Sequence, residues 1–302
     1  MKRNKKVALT ATALSLSAIL AACGTDEEKS TTSSTTDGDK ELNLLIPSEP
    51  PSLHPQLASD TTSGAILENA FEGLTTMKNG EPVLGAAEDY IVSDDLLTYT
   101  FKLRDAQWSN GEKVTAEDFA YAWLWALNAE NASEYSTILY PIKGAEAYNN
   151  AKATAEDVAI NVIDEKTLEV TLEAPTPYFL ELTAFKTFFP IHKATAEANP
   201  KWYTEADTYV GNGAYTLSSW NHSGDIVLEK SETYWDAANV AIDTVNVAMV
   251  ESETTQMTMY DAGEVDFLGA PYGTISLDAI DRLKSEDALN VTDLAGIYWY
   301  KF

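Results

Sequence analysis

Residues 99–123 read YTFKLRDAQWSNGEKVTAEDFAYAW, and three local signals follow one another in them. Tyr99, Phe101 and Leu103 alternate with Thr100, Lys102 and Arg104, the period of two that puts one face of a strand against a core. Asn110-Gly111 is a turn signal. Thr115 followed three residues later by Asp118 is a variant of the capping box that opens a helix. On that helix Phe119, Ala122, Trp123, Ala126 and Leu127 form one apolar stripe. Tyr121, Leu124 and Trp125 make the opposite side apolar too, which predicts a helix buried on most faces. A strand, a turn and a core helix within thirty-odd positions point to an α/β fold rather than an all-helical or all-β one.

The same mixture extends in both directions. Upstream, LNLLIP at 42–47 is a short apolar strand stopped by Pro47, and Ile66, Leu67, Ala70, Phe71 and Leu74 recur at helical spacing. Downstream, Val158, Ile160 and Val162 face Leu168, Val170 and Leu172 across the turn DEKT, which reads as a hairpin. A second hairpin joins AYTLSSW to DIVLEK around residues 222–225. Then come the strand VNVAMV, a helix over TTQMTMYDAG ending at Gly263, the strand VDFL, the helix LDAIDRLKSE and the alternating GIYWYKF. Strands and helices are mixed without a strict βαβ rhythm, so mixed sheets fit better than a dinucleotide-binding or eight-stranded barrel plan.

The amino-terminal forty residues have a different character. MKRNKK carries four positive charges, and an apolar run from Val7 to Ala22 follows it and ends at small residues. That is the layout of a secretory signal, and the run is shorter than the ~20 residues a membrane span needs. Cys23, the single cysteine, stands at its end in LAAC. One cysteine cannot pair within the molecule. LAAC resembles the lipobox of bacterial lipoproteins, which implies cleavage before Cys23 and acylation of that residue. Residues 24–40, GTDEEKSTTSSTTDGDK, hold no large apolar side chain and read as a polar linker.

From Cys23 onward 47 acidic residues stand against 16 basic ones, a formal charge of −31. This excludes nucleic acid and anionic lipid as partners recognised through clustered Lys and Arg. Seven Trp, fifteen Tyr and nine Phe suit a sizeable core and the lining of a cleft. Chemistry is sparse by comparison. His54, His192 and His222 sit in predicted loops without metal-ligand spacing, and no nucleophile elbow or phosphate loop is present. With so many carboxylates a hydrolytic acid pair can arise by chance, so a cell-surface hydrolase stays open as an alternative to a binding protein.

Several stretches together resemble the extracellular solute-binding proteins of peptide ABC importers, in particular the oligopeptide-binding lipoproteins of Gram-positive bacteria. They are PPSLHPQLASD with ENAFEGL, the 99–123 segment, GNGAYTLSSW, LEKSETYWD and YDAGEVDF, in the family's order. The resemblance implies a periplasmic-binding-protein-like α/β fold with mixed sheets, in which residues 41–75 and 188–302 form one lobe and 76–187 an inserted domain. Residues 1–22 would be the signal peptide and 23–40 the lipidated cysteine and linker. The chain stops at Phe302 in mid-strand, so the second lobe is expected to be missing and the product truncated. With it would go the acid that pairs with a peptide's amino terminus.

Function follows by the same resemblance: capture of oligopeptides outside the cell and delivery to the importer's permease and ATPase complex, with the membrane touched only through the lipid anchor and with no cofactor or metal. Signalling peptides or nickel chelates are narrower ligand alternatives. By match, the implied ligand contacts are Ser48, Glu49 and Pro50, Tyr135 and Phe185, Gly269 and Ala270, and Tyr298, Trp299 and Tyr300. Gly211, Gly213 and Trp220 are expected to serve the scaffold, the glycines by setting turn geometry.

Overall fold

A computed structural model describes residues 40–291. The strands are β1 (Glu41–Ile46), β2 (Thr75–Lys78), β3 (Glu81–Leu84), β4 (Ala87–Val92) and β5 (Thr98–Leu103), then β6 (Ile160–Asp164), β7 (Thr167–Thr171), β8 (Tyr215–Asn221), β9 (Asp225–Lys230) and β10 (Thr244–Met249). The helices are α1 (Thr61–Ala70), α2 (Ala116–Leu127), α3 (Ala145–Asn149), α4 (Phe179–Leu182), α5 (Lys193–Ala198), α6 (Glu253–Ala262) and α7 (Ile280–Ser285). Among the described residues these strands form three sheets. One has the order β1-β10-β9-β8, one is the β2-β3 hairpin, and one has the order β4-β5-β7-β6. The first is mixed, because β1 runs parallel to β10 while the other pairs are antiparallel.

The alternation in 99–104 is realised on β5: Tyr99, Phe101 and Leu103 are buried, and Phe101 and Tyr99 pair across to Leu168 and Val170 of β7. Phe179 lies 4.9 Å from Tyr99 and 6.1 Å from Phe188, whose ring is 5.1 Å from Trp123 on α2. An aromatic chain thus welds α2 to this sheet. The capping box at Thr115 and Asp118 is present, with Asp118 accepting from both the backbone N–H and the hydroxyl of Thr115 at 2.9 Å. The stripe Phe119, Ala122, Trp123, Ala126 and Leu127 is fully buried. Tyr121, Leu124 and Trp125 are only half-buried, so α2 has a wetter outer face than its sequence predicts.

On β1, Leu44 and Ile46 join the main core while Leu45 points to the other face, into a smaller cluster with Met257, Val265, Leu268, Ala279 and Leu283. Helices α6 and α7 therefore cover the second face of the mixed sheet, and a continuous apolar run is what a strand buried on both faces requires. The expected strand VDFL is absent. Residues 265–268 make a single strand-like exchange with β1: Asp266 N–H donates to the Asn43 carbonyl at 2.9 Å, and the Asp266 carboxylate accepts from Asn43 N–H at 2.7 Å. A side chain takes the place of the second backbone bond, and the pairing ends there.

Candidate functional site

Helix α1 is the element around which the expected contacts gather. Asp60 caps it, accepting from Ser63 N–H at 2.7 Å. Upstream, Ser52 N–H reaches the Ser63 hydroxyl at 3.5 Å, which ties the loop holding Ser48, Glu49 and Pro50 to the helix start. Ser48 is exposed, Pro50 buried, and Glu49 already engaged: its oxygens accept from His222 Nδ1 at 2.8 Å and from Ser223 N–H at 2.6 Å. Glu49 anchors the loop to the β8–β9 turn. That hydrogen bond is the largest of the effects raising the pKa of His222, which also lies 3.5 Å from Glu205.

Tyr135 and Phe185 meet edge to face at 5.5 Å, and the Tyr135 hydroxyl donates to the Ser59 carbonyl at 3.2 Å, immediately before the α1 cap. The structure thus brings together two residues fifty positions apart. Beside this ring pair stands Lys186, with Nζ 4.5 Å from the Phe185 centroid and 5.4 Å from that of Tyr135. Gly269 and Ala270 lie further along the helix. Tyr272 beside them donates to the Ala65 carbonyl of α1 at 3.0 Å and accepts from Asn69 Nδ2 at 2.9 Å. Burial pushes the Tyr272 phenol up to about 12. Gly269 and Ala270 line a cavity of ≈ 640 Å³ together with Leu268, Ile275, Leu283 and Leu289. Cys23, Tyr298, Trp299 and Tyr300 lie outside the described residues.

At the far end of α1, Glu72 is 8% exposed. Its carboxylate accepts from the Tyr234 hydroxyl at 2.6 Å and from Trp235 Nε1 at 2.7 Å. Asn212 pairs with its backbone in both directions at 3.0 Å. The Arg104 guanidinium lies 3.5 Å over the Trp235 ring and donates to the carbonyls of Gly85 and Ala87. Burial raises the Glu72 pKa, opposed by the Tyr234 and Trp235 donors and by Arg104. Gly211 and Gly213 flank this node. Neither has a positive φ; a Cβ on either would collide with a carbonyl oxygen at the α1 C-terminus. They allow close approach of backbone to helix, which corrects the expected turn role. The recognisable stretches ENAFEGL, GNG and TYWD and the Arg104 strand end therefore meet at one structural knot.

The histidines are likewise accounted for. His54 packs 4.2 Å from Trp125 and 4.8 Å from Tyr203, accepts from Gln56 N–H, and is pushed down to about 3 by burial, so it stays neutral. His192 is bonded to Thr195 and Glu112 at 2.6 and 2.8 Å. Lys186 is the residue that sequence reasoning passed over. Its one signal was position, a lone lysine inside the aromatic run AFKTFF.

Comparison with known proteins places this architecture. The profile of bacterial extracellular solute-binding proteins, family 5, middle region, matches residues 81–302. The chain belongs to that family. It is 44% identical to the oligopeptide-binding protein OppA of Bacillus subtilis, over 99% of this chain and 56% of that protein. It is 40% identical to the dipeptide-binding protein DppE of the same organism, over 100% of this chain and 56% of DppE. Among solved structures, Listeria monocytogenes OppA bound to peptide is similar with a TM-score of 0.76 and 33% identity, over 83% of this chain and 49% of that one. The chain spans about half the length of the curated relatives it matches.

Proposed function

We propose that this chain takes part in capturing oligopeptides outside the cell and passing them to the permease of an ABC importer, acting by binding and not by catalysis. The supporting observation is the family together with what its members bind: the B. subtilis relatives are named for oligopeptides and dipeptides, and the Listeria structure is bound to peptide. In this reading the peptide lies along the α1 side of the molecule, near Ser48, Pro50, Tyr135, Phe185, Gly269 and Ala270. Glu49 holds its loop in place through His222 and Ser223. Tyr298, Trp299 and Tyr300 complete the set by resemblance alone.

Extended peptides are recognised mainly through their backbone, with roomy pockets for varied side chains, which lets affinity coexist with broad specificity. Residues 76–187 act as an inserted domain; β3 to β7 lie within them, and β2 begins one residue before. Residues 1–22 direct export, and a lipid on Cys23 tethers the protein to the outer face of the membrane through the linker 23–40. More than one acyl chain is needed for a stable tether. The test is incubation of the 302-residue chain with a defined peptide pool, followed by mass spectrometry of what co-purifies. Peptides that co-purify intact support this reading. Cleavage products that vanish on substitution of a single Asp or Glu would overturn the reading in favour of a hydrolase.

A further inference from the structure

Lys186 is 9% exposed, sits against two aromatic rings, and faces α1 at Gly64, where a Cβ would stand 3.8 Å from Nζ. An ammonium carries three hydrogen-bond donors and no acceptor. The acids that act on it, Glu68 and Asp60, do so through space, with no hydrogen bond to it. Asp60 is occupied as the α1 cap, and the Tyr135 hydroxyl donates away from it to Ser59. The rings stabilise the cation only in part. Desolvation lowers its pKa, a sign that the charge is held at a cost. A methionine would fill the same slot without that cost.

We propose that Lys186 forms the cationic floor of a subsite that takes a carboxylate of the ligand, either an acidic side chain or a terminal carboxylate. The proposal rests on the peptide-binding reading above. A carboxylate placed there would complete a charge-assisted hydrogen bond in a partly dry setting, where such bonds are strongest. A basic side chain at the same place would be repelled.

Calorimetric titration at fixed ionic strength with three matched peptides separates the sources. One has a glutamate and an amidated carboxyl terminus, one a glutamine and a free terminus, one a glutamine and an amide. The carboxylate-bearing peptide that uses the subsite should bind about tenfold more tightly than the doubly neutral one, the worth of one good charged contact. In Lys186→Met that advantage should vanish while the neutral peptide binds as before. Equal binding of all three to the unaltered chain, or an advantage that survives in Lys186→Met, overturns the proposal. If no peptide binds, the peptide-capture reading fails by itself, and the subsite is judged separately by NMR. The 13Cε signal of Lys186, identified by its loss in Lys186→Met, should shift on addition of acetate and not of acetamide. A signal that ignores acetate overturns the subsite.

Discussion

At the carboxyl end of α1, Glu72 is almost as deeply buried as Lys186 is near the amino end, at 8% and 9% exposure. Glu72 is surrounded by donors: a phenol, an indole, the two-way bond from Asn212 to its backbone, and the charge of Arg104. Lys186 has two aromatic rings and two acids that act on it only through space. Burying a charge is tolerable when it is fully hydrogen-bonded and costly otherwise. The first arrangement therefore holds the fold together, and the second keeps binding capacity in reserve at the expense of stability.

The backbone beside Lys186 is held by Trp123, which donates to the Phe188 carbonyl at 2.8 Å from a fully buried ring. Trp123→Ala should cost ~3–5 kcal/mol, the usual range for deleting a core tryptophan. A shift in denaturant midpoint worth under ~1 kcal/mol would show the support to be dispensable. Next in size, Glu72→Leu removes both acceptors and strands the Tyr234 and Trp235 donors, for an expected loss of about 2 kcal/mol. Lys186→Met should go the other way, with a gain of up to ~1 kcal/mol in the same measurement. Two losses instead of one loss and one gain would mean that Lys186 has a structural partner, and the contrast between the ends of α1 would collapse.

The smallest effect concerns the loop that begins this face. His222 has its pKa raised above the ordinary 6.5 by Glu49. Its stabilising contribution is therefore complete below pH 6.5 and is lost as pH rises through the elevated folded value. Compared with His222→Asn, the unaltered chain should show a small advantage in melting temperature at about pH 6 that fades toward about pH 8. An advantage that grows with pH would place the interaction on the neutral imidazole and uncouple Glu49 from the histidine's charge.

What the sequence displayed was local. The capping box at Thr115, the alternation on β5 and both hairpins depend on residues within about fifteen positions of each other, where periodicity and turn chemistry act directly. The failures are all long-range. VDFL has strand composition, but its neighbour is Asn43, more than two hundred positions away, and that neighbour is satisfied by one carboxylate. Gly211 and Gly213 look like turn residues until Ala70 is set against them. On the candidate face, resemblance carried Tyr135 and Phe185, and the structure brings them into contact. Lys186 could be found only in the folded molecule, because only burial distinguishes a lysine in an aromatic slot from one in solvent.

Pairing of β1 with β10 has a kinetic meaning as well as a geometric one. Glu41 is registered with Thr244 and Ile46 with Met249, so β1 finds its partner only after some two hundred further residues exist. Closing a loop of that length costs about 5 kcal/mol of chain entropy before any contact is rewarded. The sheet containing β5 and the β8–β9 hairpin rely on nearer neighbours and can form while β1 is still waiting. Until β10 arrives, the apolar sequence LNLLI stays unpaired on both edges. The interval between making β1 and making β10 is therefore a time of exposure to misassociation.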